Sequence, residues 1–166
     1  MYRWYTPMVH MRIRIIGTLL VVGLLTAPSW APQWGPGLLG EIFLVAFPGN
    51  LLIVGGFLAL VALYCRTLQV TMSRAGADRS TSVWWMFAIP ANFVEDFYIV
   101  NRVGAALDPL VDRPARNRWL LLGHAWCALQ LLSLLPGVVG LTGGALAIGA
   151  WLAHWVSTLS ILRRLP

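Results

Sequence analysis

The chain has 166 residues, of which 58% are apolar and only 11% are charged, and its formal net charge is +6. Soluble domains carry roughly 25% charged residues, so this composition excludes an ordinary water-soluble protein. It predicts an all-α integral membrane protein with one membrane domain over residues 1–166. All basic residues are arginines beside apolar segments, where anionic lipid headgroups attract them. We therefore expect membrane lipids and no nucleic acid among the partners.

Sequence motifs for enzymatic chemistry are missing. Cys65 and Cys127 stand alone, without a CxxC pattern or a Cys/His cluster, so neither a zinc site nor a redox dithiol is indicated. There is no Gly-rich phosphate loop, no nucleophile elbow and no HExxH motif. We expect no metal site and no catalytic residues, and the sequence favours a non-enzymatic protein. Lipid chemistry through Glu95 and Asp96 is a residual alternative.

Four apolar segments are long enough to cross about 30 Å of hydrocarbon at about 1.5 Å per residue. They cover residues 13–30, 42–64, 119–135 and 138–162. Trp30 and Trp119 lie at the ends of two segments and are expected to be interfacial anchors. The first segment has the layout of a signal peptide, but Pro32 would follow the cleavage site, which favours a retained anchor helix.

The connections between these segments carry turn and kink signals. Residues 28–40 contain several tryptophans, prolines and glycines but no basic residue, which predicts an irregular external loop. Glu41 marks the external end of the second segment, and Pro48-Gly49-Asn50 predicts a kink or a polar break within it. Pro136-Gly137 predicts a minimal turn that folds the last two segments into an antiparallel hairpin.

Residues 83–100 form a fifth apolar candidate, and the arginines decide its topology. If this segment also spans, six arginines fall on each side of the membrane. If it does not span, all twelve lie on the side of the termini, which agrees with the positive-inside rule. Burying Glu95 and Asp96 as ions would also be costly. We therefore predict four transmembrane helices with cytoplasmic N- and C-termini in a bacterial cytoplasmic (inner) membrane.

The segment 83–106 is predicted to be a re-entrant or interfacial elbow. Its first part is apolar all round, and Pro90 breaks or bends a helix there. In its second part, helical spacing gives an amphipathic helix. The polar face is predicted to contain Asn92, Glu95, Asp96 and Arg102, and the apolar face Phe93, Phe97, Val100 and Gly104. The polar face is either solvated or a site for a proton or a cation.

Two stretches resemble an uncharacterised bacterial membrane family, domain of unknown function 4328. They are Tyr64-Cys65-Arg66 and the segment Trp84-Trp85-Met86-Phe87-Ala88-Ile89-Pro90-Ala91-Asn92. In that family an arginine-ended span and a polar loop precede a Trp-Phe-Ile-Pro-x-x-Asn-like signature. The resemblance supports the membrane topology and implies no activity or catalytic residue.

His124 and His154 are candidate cofactor-binding residues, because both lie in the cytoplasmic half of the predicted hairpin. Their depths differ by roughly 6 Å at about 1.5 Å per residue. Two imidazoles on facing helices could bind haem b, or a chlorophyll-type pigment, with Trp126, Trp151 and Trp155 as flat packing surfaces. The alternative is that each histidine forms ordinary hydrogen bonds to a neighbouring helix.

The last segment carries small residues at intervals of four, which permit close helix packing. They are Gly140, Gly144, Ala145, Gly149 and Ala153. They serve either the protein's own hairpin or another membrane protein subunit. We therefore expect an accessory or scaffold subunit that packs against partner membrane proteins and anionic lipid. The alternatives are a haem- or pigment-binding electron-transfer or light-harvesting-associated protein and, third, a small transporter.

Overall fold

The computed structural model describes residues 7–35, 44–77 and 82–166, and within these ranges it contains helices but no strand. The α-helices are α1 (Pro7–Leu25), α2 (Ala27–Trp30), α3 (Gly49–Arg74), α4 (Asn92–Leu107), α5 (Arg113–Leu132) and α6 (Gly137–Leu162). Short 3₁₀ helices cover Pro32–Trp34 and Val83–Phe87. The prediction of an all-helical fold is confirmed.

Two of the described helices, α3 and α6, are long and apolar enough to cross a membrane. Each has 26 residues, and their most apolar windows have mean hydropathies of 2.1 and 1.5. Only 17% and 28% of these windows are buried inside the protein. Large apolar side chains therefore face outward, as in Leu52, which is 72% exposed, and Val138, which is 75% exposed.

Helices α5 and α6 form the predicted antiparallel hairpin. Gly137 turns the chain with a φ of +66°, in the left-handed region that favours glycine. One turn later Gly140 packs on the connection, where a Cβ would lie 1.8 Å from the carbonyl oxygen of Leu135. Only glycine allows the backbones to approach so closely. Glycines at these two positions thus set the geometry of the hairpin.

Helix α3 runs parallel to α6 along its C-terminal half. Three contacts keep nearly constant spacing: Tyr64 meets His154, Thr67 meets Trp155, and Arg74 Nη1 donates a hydrogen bond to the carbonyl oxygen of Leu162. The C-terminal ends of α3 and α6 therefore lie together. Because α5 is antiparallel to α6, α5 begins at that same end of the protein.

Helix α4 packs along α5 in the antiparallel direction. Gly104 lies against Leu120, Val100 lies against Gly123, and Asp96 meets Gln130. The buried face of α4 completes a core with α3, α5, α6 and the 3₁₀ helix Val83–Phe87. Helix α1 contacts the start of α4, where Gly17 lies against Val94.

Several predicted boundaries are corrected. Pro48 immediately precedes α3, so it marks the beginning of the helix and does not kink it. The same helix continues to Arg74, beyond the predicted end of the segment at residue 64. The first predicted segment is divided at Thr26 into α1 and α2. Glu41 and residues 42–43 lie outside the described residues.

Candidate functional site

His154 lies at the centre of a buried aromatic cluster between α3, α5 and α6. Its side chain is 0% exposed, and its Nδ1 lies 2.7 Å from the hydroxyl oxygen of Tyr64. The ring centroid of Trp119 is 4.3 Å away, and Trp126 stacks at 6.2 Å. Tyr64 makes edge contacts with Trp126, Trp151 and Trp155. The tryptophans thus surround the Tyr64–His154 pair.

Hydrogen bonds from the indole groups tie the same three helices together. Trp119 Nε1 donates to Thr158 Oγ1 at 2.8 Å, and Thr158 donates to the His154 carbonyl oxygen. Trp155 Nε1 donates to Thr67 Oγ1 at 3.1 Å. The prediction of Trp119 as an interfacial anchor is therefore wrong, because its ring is fully buried and its N–H is satisfied by α6.

The two histidines face different neighbours. His124 stacks on Phe97 of α4, with ring centroids 6.2 Å apart. His154 Nε2 instead points at α5, so close that a Cβ on Gly123 would lie 2.9 Å from it. A haem bound between two histidines needs open space for its macrocycle beside the coordinating nitrogen of each imidazole ring. The close packing at Gly123 leaves no such space, so the two histidines do not fit a bis-histidine haem or pigment site.

The four polar residues predicted on one face of α4 do not share that face. Asp96 is 2% exposed and lies on the buried side with Val100 and Val103, whereas Arg102 is exposed. The predicted division into a polar and an apolar face is wrong at Asp96. The reason is tertiary: α5 presents Gln130, whose Nε2 donates to Asp96 Oδ2 at 3.4 Å. A polar partner on a neighbouring helix allows the carboxyl group to be buried.

Glu95, the neighbour of Asp96, is held differently. Arg14 of α1 reaches it, with Nε 2.7 Å from Glu95 Oε1, and the Arg14 guanidinium also lies 4.8 Å from the Tyr98 ring centroid. Adjacent helical positions point about 100° apart, which is why the two carboxylates meet different helices. They do not form a carboxylate pair.

Three buried side-chain oxygens, on Asp96, on its partner Gln130 and on Asn92 one helical turn away, have no hydrogen-bond partner. They are Oδ1 of Asn92, Oδ1 of Asp96 and Oε1 of Gln130. Burial raises the pKa of Asp96 to about 8, a rise that the Gln130 hydrogen bond opposes and the charge of Glu95 reinforces. We call these three residues the polar trio. It brings two predicted elbow residues together with one residue of α5.

The small residues of α6 divide between two surfaces. Gly140 and Gly144 face α5, where Gly144 approaches Ser133. Ala145, Gly149 and Ala153 are exposed, and no atom lies within 4 Å of a Cβ built at Gly149. The first pair serves the hairpin, and the other three residues form an outward-facing surface on α6. We call them the small-residue face.

Sequence reasoning missed Tyr64 and Gln130 as site residues. Both carry a polar group within an otherwise apolar helix, and this was the available signal. Comparisons with protein-family models, curated proteins and solved structures find no match. The resemblance based on Tyr64–Arg66 and Trp84–Asn92 stays a prediction.

Proposed function

We propose that the protein is a non-enzymatic, multi-pass accessory or scaffold subunit of a bacterial inner membrane. The observation that carries this proposal is its inverted distribution of polarity. Apolar side chains face outward along α3 and α6, while hydroxyl, imidazole and carboxyl groups lie in the interior. Such a surface is suited to hydrocarbon and to the helices of other membrane proteins. Four spans, α1, α3, α5 and α6, would then cross the bilayer.

The elbow between α3 and α5 is proposed to enter the membrane without crossing it. Support comes from the positions of the flanking ends, since α3 ends at the same end of the protein where α5 begins. A connection that leaves and returns on one side cannot add a net crossing. With four spans, an even number of crossings, the proposed topology has both termini on the cytoplasmic side.

The arginines support anionic lipid as a partner. Arg74, Arg113, Arg118, Arg163 and Arg164 are exposed, and each lies near the helix ends that meet at this end of the protein. A cluster of guanidinium groups beside apolar spans attracts anionic headgroups, by about 1 kcal/mol for each arginine near the surface. This end is accordingly assigned to the cytoplasmic side.

The small-residue face supports the docking of a partner helix. Small residues at intervals of four let two backbones approach closely enough for extensive van der Waals contact. Gly140 and Gly144 are already used by the hairpin, so the exposed Ala145, Gly149 and Ala153 are the positions available to another subunit. The proposed role is to hold a partner span in place.

The deciding experiment measures the size of the assembly in mild detergent, by light scattering with refractive-index detection. We expect the wild type to elute with a partner subunit, and Gly149→Leu to release it. The matched control is Gly55→Leu on α3, another exposed glycine with nothing within 4 Å of its Cβ position. A wild-type chain that is monomeric when extracted from its native membrane would refute the scaffold role.

The topology has its own test in a variant without native cysteines. Ser73→Cys in the last turn of α3 and Pro109→Cys before α5 place thiols at exposed positions on either side of the elbow. Membrane-impermeant maleimide should label both from the cytoplasmic side. Labelling from opposite sides would mean that the elbow crosses the membrane.

A further inference from the structure

The polar trio has more hydrogen-bond acceptors than donors. Gln130 uses its amide nitrogen on Asp96 Oδ2, which leaves its own Oε1, Asp96 Oδ1 and Asn92 Oδ1 without partners, each with almost no solvent contact. Asn92 and Asp96 are one helical turn apart on α4, and Gln130 faces them from α5. Buried polar atoms in folded proteins are nearly always satisfied, so these three oxygens call for a partner that the described side chains do not supply.

We propose that Asn92, Asp96 and Gln130 form a buried binding site for one monovalent cation. This inference goes beyond the scaffold role and does not depend on it. A single proton on Asp96 can satisfy only one of the other oxygens, because a carboxylic acid has one O–H to donate. A cation can accept electron pairs from all three oxygens at once. The number of unpaired acceptors therefore favours a cation over a proton alone.

The charge of the site selects a monovalent ion. Asp96 contributes one negative charge, the two amide oxygens are neutral, and Glu95 is already paired with Arg14. A divalent ion would leave an uncompensated positive charge in an apolar core, and calcium sites use more carboxylates. Amide and carboxylate oxygens are hard ligands, which suit alkali cations better than soft transition metals. The described residues contain no group of three His, Cys, Asp or Glu that could hold a metal ion.

The ionisable groups around Asp96 do not supply the missing positive charge. Tyr64 and Cys65 of α3 and Cys127 of α5 are close enough to interact electrostatically with it, and none of these groups becomes a cation. On its own helix, Glu95 is paired with Arg14, whose guanidinium also lies over the Tyr98 ring. The charge that attracts a cation is therefore that of Asp96.

The experiment adds NaCl, KCl or LiCl to the purified protein in detergent. Isothermal titration calorimetry measures ion binding and a thermal melt measures Tm, and choline chloride at equal ionic strength provides the reference.

We expect saturable binding of one ion per chain for at least one alkali cation, together with an increase in Tm. Asp96→Asn should abolish both responses, and Gln130→Ala should weaken the apparent affinity by about tenfold, as for loss of one strong ligand. Asp108→Asn is the matched control, because Asp108 is exposed and paired with Arg116.

Three results would overturn the proposal. The first is a Tm that is equal in choline and alkali chlorides, and the second is an alkali-dependent increase in Tm that persists in Asp96→Asn. The third is an affinity for the ion that is the same in Gln130→Ala as in the wild type. This comparison also decides the matter if Asp96→Asn fails to fold. The oligomer measurement for Gly149→Leu is unaffected by any of these outcomes.

Discussion

The hydroxyl oxygen of Tyr64 lies 2.7 Å from His154 Nδ1, and this contact joins α3 to α6 inside a cluster of four tryptophans. Neither ring is exposed to solvent. Because a buried donor or acceptor that loses its partner keeps its full desolvation cost, the pair is expected to matter more than a surface hydrogen bond. It also fixes the register of the two long helices.

Tyr64→Phe should destabilise the protein by about 1–3 kcal/mol, because the His154 nitrogen is left without its partner in an apolar core. The measurement is chemical unfolding in detergent micelles, followed by tryptophan fluorescence. A double-mutant cycle with His154→Leu should give a coupling energy of about 1 kcal/mol or more. Ser160→Ala, which removes a hydroxyl on the exposed face of α6, serves as the control. Additive effects of the two core substitutions would contradict the pairing.

Two glycines of α6 should respond oppositely to alanine. At Gly140 a Cβ would collide with the backbone oxygen of Leu135, which cannot move without opening the hairpin, so Gly140→Ala should lower stability by about 1–3 kcal/mol or more. At Gly149 a Cβ meets open space, so Gly149→Ala should stabilise the helix by up to about 1 kcal/mol. Differential scanning fluorimetry of both variants tests the pair. Equal Tm values would mean that the turn is packed differently.

The pKa of Asp96 makes stability depend on pH. Folding raises that pKa from 3.8 to about 8, so the stabilising state is the protonated one. The contribution of protonated Asp96 to the free energy of unfolding is complete below pH 3.8. It is lost as the pH rises towards 8, at up to about 1.4 kcal/mol per pH unit for one group. Unfolding should be measured in choline salts, which leave the proposed cation site empty. Asp96→Asn should remove this slope, and an unchanged slope would assign it to another group.

The Arg14–Glu95 pair should show an asymmetry between its partners. The Arg14 side chain is 48% exposed and that of Glu95 only 14%. Arg14→Gln leaves a nearly buried carboxylate without its partner, whereas Glu95→Gln leaves an arginine that water can solvate. We expect Arg14→Gln to lower the free energy of unfolding more than Glu95→Gln does. Because the pair is partly exposed, its contribution to stability is limited to about 1 kcal/mol. Thermal unfolding of both variants and of the double variant measures the difference. Equal costs would mean that α1 is not held to α4 through this pair.

The sequence by itself determined the all-helical class of the fold, the hairpin of α5 and α6, and the break in the chain at Pro90. Composition and segment length suffice for these, because the solvent preference of an apolar helix and the φ requirement of Gly137 are local properties. The helix that follows the break begins at Asn92, within the predicted elbow. Helix ends were less predictable, since α3 continues to Arg74 through packing against α6.

Only the tertiary structure decided which polar groups come together. Helical spacing placed Asp96 on a polar face with Arg102, but α5 supplies Gln130 and thereby moves the carboxyl group into the core. The histidines were paired from their depths alone, yet the angle of each side chain around its helix directs His154 to Tyr64 and His124 to Phe97. Depth follows from counting residues, whereas the neighbour of a side chain depends on how whole helices pack.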